Sequence, residues 1–153
     1  MDGRQALTPG AVLKLGTETG YVSFTINKEI GRGGSCIVYD ASYTDNLGNR
    51  KLVRIKESYP HSLHIVRETD GQLIADQHDM QAFSAANEQI KVAYQKNHDL
   101  FSQDELTNMV ANTTNIYEAN GTTYIVSVYL NGCTFADYQG KTLHDCISMI
   151  LRL

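Results

Sequence analysis

Residues Ile30 to Tyr39 read IGRGGSCIVY, a glycine-rich turn followed at once by β-branched and aromatic residues. Ahead of the turn, Tyr21 to Ile30 alternates apolar and polar positions, as a half-buried strand does. The turn therefore joins two antiparallel strands. A third strand, Val53-Arg54-Ile55-Lys56, follows and ends on a single lysine. Gly31 and Gly33 can take backbone conformations closed to other residues and let main-chain N–H groups approach an anion with no Cβ in the way. With Lys56 as a mobile positive charge, the segment reads as a clamp for the phosphates of a nucleotide.

Other phosphate motifs fail on context. A dinucleotide fingerprint needs its glycines to open a helix, whereas Cys36-Ile37-Val38-Tyr39 has strand composition and Asp45-Asn46-Leu47-Gly48-Asn49 is a hairpin signal before the next strand. Gly140-Lys141-Thr142 ends like a Walker A loop, but Phe135 stands where that loop needs its first glycine. Taken alone, GRGGS is an ordinary turn. Its order with Val38 and the lysine strand is what gives it meaning.

Along the rest of the chain, Ala11 to Leu15 offers a short preceding strand, and Asp70-Gly71 between His64-Ile65-Val66-Arg67 and Gln72-Leu73-Ile74 predicts an extra hairpin. From about Asp79 to Asn97, Phe83, Asn87, Ile90 and Tyr94 recur at helical spacing, and Glu88 is the only glutamate in the middle of that helix. It lies off the apolar stripe, as a solvated residue would. Asn115 to Glu118 and Thr122 to Tyr129 flank Ala119-Asn120-Gly121 as a second hairpin. Thr134 to Tyr138 is a short helix candidate. Thr142 with Asp145 resembles a capping box for a last helix, whose Leu143, Ile147, Ile150 and Leu151 form an apolar stripe. That stripe predicts a two-fold homodimer through the C-terminal helix, or folding back on the sheet.

At 153 residues the chain is one domain's worth. A formal charge of -4 with no basic run argues against a nucleic-acid surface. Cys36, Cys133 and Cys146 lack C-x-x-C spacing and predict reduced thiols and a cytoplasmic location. No apolar run approaches a membrane span, and the first residues lack the regions of a signal peptide. His61 and His64 could be half a metal site, but without further ligands they read as a histidine-containing loop. No metal is expected there. Cys36 reads as a small packing residue, or as a thiol that the nearby lysine pushes toward thiolate.

In combination these motifs closely resemble the amino-terminal lobe of a bacterial-type serine/threonine protein kinase, written G-x-G-x-x-G-x-V with a third strand ending V-A-I-K. Gly31, Gly33, Val38 and Lys56 match; Cys36 replaces the third glycine, and Arg54 replaces the alanine that roofs the adenine. Arg54 shares a strand face with Lys56. It must stack on the base, swing out to solvent or obstruct the pocket.

The resemblance implies an α+β fold: a five-stranded antiparallel sheet with a regulatory-type helix over residues 1–132, then the hinge exit and first helices of a second lobe over 133–153. It implies ATP as the ligand, with the base between Ile30, Val38 and a hinge at Val128 to Leu130, and Ser127 behind it. Lys56 would hold the phosphates and pair with Glu88. The implied activity of a full-length protein is transfer of the γ-phosphoryl group to a protein hydroxyl, with the protein substrate and Mg²⁺ both engaged through a second lobe. The matching catalytic and metal-binding aspartates have no counterpart here, so the chain alone is expected to be inactive. The alternative is a non-catalytic, kinase-like interaction or sensing module.

Overall fold

The computed structural model describes residues 2–17, 20–101 and 114–129, with side chains other than those of 17, 97–101 and 114. Strands β1 (Val12–Thr17), β2 (Gly20–Arg32), β3 (Cys36–Thr44) and β4 (Arg50–Ser58) run in chain order. A hairpin, β5 (Ile65–Arg67) and β6 (Leu73–Ala75), precedes helix α1 (Met80–Phe101). Strands β7 (Thr114–Ala119) and β8 (Thr122–Val128) complete the described residues. The main sheet is antiparallel with order β1-β2-β3-β4-β8-β7, and β5-β6 forms a separate two-stranded sheet.

This corrects the expected fold class. The described residues are mostly β, and their six-stranded sheet curls until its two edge strands, β1 and β7, meet in a nearly closed barrel. Among the described residues this replaces the five-stranded sheet with a regulatory-type helix that the sequence predicted. Two features account for the difference. The alternation in β1 places Leu13 and Leu15 inward, where both are buried, so the segment beyond the glycine hairpin joins the sheet as a full strand. The 13-residue β2 carries register shifts between Ile26 and Lys28 and between Glu29 and Gly31. Such bulges bend a strand and increase its twist. Residues 130–153, which include the predicted second-lobe helices and the apolar stripe of the proposed dimer, lie outside the described residues.

Inside the barrel, Leu15, Ile26, Ile37, Tyr39, Ile55 and Tyr124 are fully enclosed. Each such large apolar side chain contributes about 1.5–3 kcal/mol. Tyr59, the β5-β6 hairpin through Ile65 and Leu73, and α1 through Phe83 join the same core. Phe83 is the most buried residue of the predicted stripe, with Asn87, Ile90 and Tyr94 half-buried behind it. The β7-β8 turn follows its sequence signal: Asn120 and Gly121 both have positive φ, and a Cβ on Gly121 would lie 2.6 Å from the Leu73 carbonyl oxygen. That turn is where the small hairpin docks on the barrel, through the Leu73 N–H bond to the Asn120 carbonyl at 2.9 Å.

One carboxylate is part of this core. Glu57 has no exposed surface and accepts hydrogen bonds from the Tyr39 hydroxyl at 2.7 Å, the Tyr124 hydroxyl at 2.9 Å and the Arg67 guanidinium at 2.6 Å. Burial, then the negative charge of Glu57, pushes both phenols well above the usual tyrosine range.

Candidate functional site

The face of the sheet opposite the core collects Gly31, Val38, Arg54, Lys56 and Ser127 from the residues singled out in the sequence. Directly opposed residues of antiparallel strands point to the same side, and the register aligns Gly31 with Val38, Val38 with Lys56, and Lys56 with Ile125. One row across β2, β3, β4 and β8 thus carries the glycine, the valine and the lysine. Lys56 is exposed and Val38 half-buried. Ile30 is 39% exposed in the bulge beside Gly31, whereas Val128, 43% exposed at the end of β8, is opposed to the buried Val53 and so turns its side chain to the core face. Leu130 lies outside the described residues.

The turn between β2 and β3 is held through its carbonyls. Gly33 O accepts from the Arg4 guanidinium at 2.9 Å, Gly34 O from the His61 N–H at 2.8 Å, and Ser35 O from the Tyr59 N–H at 2.9 Å. In a trans peptide the C=O and the next N–H point in opposite directions. The N–H groups of Gly34 and Ser35 are therefore directed away from the segments that hold the carbonyls, while the Gly33 N–H donates to the Cys36 carbonyl at 2.9 Å. Gly31 and Gly33 reach this without left-handed conformations, and no atom lies within 4 Å of where their Cβ atoms would stand. What these two glycines provide is open space over the turn rather than special backbone angles.

Arg4 was not singled out in the sequence. Its side chain is buried and also donates to the Tyr59 carbonyl, lies 5.9 Å over the Tyr59 ring and pairs with Asp2 at 2.6 Å. Arg32, at the mouth of the turn, donates to the Arg4 carbonyl at 2.8 Å and pairs with Glu29 at 2.6 Å. The basic residues 28 positions apart form one clasp. An arginine in a polar N-terminal segment carries no sequence signal for such a role.

Glu88 and Lys56 form no ion pair. Glu88 is on the exposed side of α1 and pairs with Lys91, which also reaches Glu118 on β7 at 2.7 Å. The helix is thus tied to the sheet edge by Lys91. Arg54 takes the first of its available courses with a protein ring in place of a base: its guanidinium lies 5.3 Å from the Tyr129 ring centroid. Ser127 is opposite Arg54 in register, on the same face of the sheet. Cys36 is a half-buried free thiol. Burial pushes its pKa up despite the opposing effect of Lys56, in line with a small packing residue and against the thiolate alternative.

His64, Asp76 and Asp79 bring one ligand atom each to within 4.8 Å of one another. One carboxylate oxygen of each aspartate already serves the backbone. Asp76 accepts the N–H groups of His78 and Asp79 at the start of α1, and Asp79 accepts the His64 N–H at 2.6 Å and contacts its ring nitrogen at 2.9 Å. A cation there would also face the positive end of the helix. Among the described residues no helix is long and apolar enough to cross a membrane.

No protein-family model and no curated protein matches the chain. Among solved structures it is similar to "PpkA-294 apo form", at 24% identity and a TM-score of 0.59. The match covers 97% of this chain and 47% of that one, so this chain spans about half the length of its structural neighbour. At that identity the likeness is one of fold.

Proposed function

We propose that this chain is the nucleotide-binding part of a serine/threonine-kinase-related protein. The observation that carries the reading is the row Gly31, Val38, Lys56, Ile125 on one open sheet face, beside a turn whose Gly34 and Ser35 N–H groups point away from the segments that hold its carbonyls. ATP would lie under the turn from Gly31 to Val38, with Lys56 on its phosphates and the base near Ile30, Val38 and the backbone at Val128. The fold shared with a bacterial kinase fragment is consistent with this. Glu88 would pair with Lys56 only after leaving Lys91. Transfer of the γ-phosphoryl group to a protein hydroxyl would belong to a longer protein, because the family's catalytic and Mg²⁺-binding aspartates have no match in this sequence. A nucleotide-titrated thermal shift tests the reading, since a ligand that binds the folded state must stabilise it.

The second reading is a non-catalytic, kinase-like module. It is favoured by Arg54 resting on Tyr129 and by Glu88 being engaged with Lys91. Under it, ATP with or without Mg²⁺ leaves the melting temperature unchanged at every concentration.

A further inference from the structure

Arg54 and Asp40 face each other directly across β3 and β4, on the same side of the sheet as Lys56. Opposed residues of this kind have Cβ atoms roughly 4.5–5.5 Å apart, well within the reach of an arginine. Yet they do not pair. The Arg54 guanidinium is spent on Tyr129, while Asp40 Oδ1 is buried with no hydrogen-bond partner. Lys28, opposite Asp40 on its other flank, makes no ion pair with it either. A buried carboxylate oxygen left without a donor is destabilising. A cation within reach of it is accordingly a side chain with two places to rest.

We propose that Arg54 is a two-position gate over the base site, resting on Tyr129 in the empty protein and turning to Asp40 when a purine enters. This rests on the nucleotide reading above. An exposed cation–π contact and a partly exposed ion pair are both weak interactions of similar size. The two positions are therefore close in free energy, and a ligand that competes for the space over Tyr129 need supply only a small bias. The arginine that stands in place of a small roofing residue then lowers affinity without abolishing it, because the competent population is a fraction of the whole.

Two experiments separate the gate from the reading beneath it. The first uses no nucleotide: the effect of Asp40→Asn on urea unfolding is measured in the wild type and in Tyr129→Leu. Asp40→Asn is expected to be neutral or stabilising in the wild type. In Tyr129→Leu, where Arg54 falls back on Asp40, it should lower the folding constant roughly threefold, the effect of one partly exposed pair. Equal effects in both backgrounds overturn the gate.

The second follows binding of a fluorescent ATP analogue. Arg54→Ala should bind about threefold or more tightly than wild type, and Asp40→Asn should bind more weakly, but only while Arg54 is present. Measurable binding that neither substitution alters overturns the gate and leaves the nucleotide reading standing. Absence of binding in every variant, Arg54→Ala included, overturns the nucleotide reading and the base site with it, whereas a positive unfolding cycle still establishes the two positions of Arg54.

Discussion

Glu57 and Lys56 are adjacent in β4 and live on opposite sides of one sheet. Glu57 is enclosed in the barrel with two phenols and a guanidinium on its oxygens, while Lys56 projects into solvent beside an open turn. The difference shows what a strand does with charge. Taking a carboxylate out of water requires partners supplied by β3, β5 and β8. Leaving an ammonium exposed requires none, and that freedom is what a ligand can use.

The largest expected effect lies on the inner face. Arg67→Met leaves Glu57 buried without its counter-charge, and equilibrium urea unfolding should record a loss of about 3–5 kcal/mol. A change below about 1 kcal/mol would mean that Tyr39 and Tyr124 suffice, and would break the contrast between the two faces.

Lys56→Met on the outer face should leave unfolding within about 0.5 kcal/mol of wild type. It should weaken nucleotide binding by about 1.5–3 kcal/mol, the worth of a hydrogen bond to a charged group. Equal nucleotide affinity in mutant and wild type, measured by titration, counts against Lys56 as the phosphate ligand.

Arg4→Ala joins the two faces, because its buried guanidinium holds the turn from behind. Loss of its bonds to Gly33 and Tyr59 should lower stability by about 1–3 kcal/mol. Hydrogen exchange should speed up at the amides of Gly33 to Cys36, and unchanged protection there would show that His61 and Tyr59 hold the turn unaided.

The smallest effect is on alkaline stability. Tyr39 and Tyr124 have folded pKa values raised above the ordinary value of 10.0, so the unfolded chain loses these protons first. Above that pH the native state binds more protons than the unfolded one, and stability falls as pH rises. The contribution is complete below pH 10 and declines above it. Tyr39→Phe should make the fall between neutral pH and pH about 11 shallower than in wild type, measured by unfolding at each pH.

Much of the local architecture was legible because it rests on short-range rules. The Asp70-Gly71 and Asn120-Gly121 turns, the alternation in β2 and the stripe from Phe83 to Tyr94 each depend on neighbours a few residues apart. The number of strands was misjudged for a long-range reason. Ala11 to Leu15 reads as a short optional strand, and only the curvature that brings β1 against β7 makes its burial pay. At the site, alternation places Arg54 and Lys56 on one face, yet the resting place of Arg54 depends on Tyr129, 75 positions along the chain.

By itself the sequence determined that a glycine turn joins two strands, that Val38 and Lys56 share a sheet face, and that a helix follows the small hairpin. These follow from φ/ψ restrictions and from periods of 2.0 and 3.6, which are properties of a few consecutive residues. Tertiary structure alone decided that the sheet curls into a near-barrel, that Glu57 is neutralised by Arg67, that Arg4 clasps the turn, and that Glu88 meets Lys91 while Arg54 meets Tyr129. Each is a choice among partners distant in the chain, or among several charges within reach of one another. Such choices are made by packing and by the desolvation of particular atoms, which no local pattern encodes.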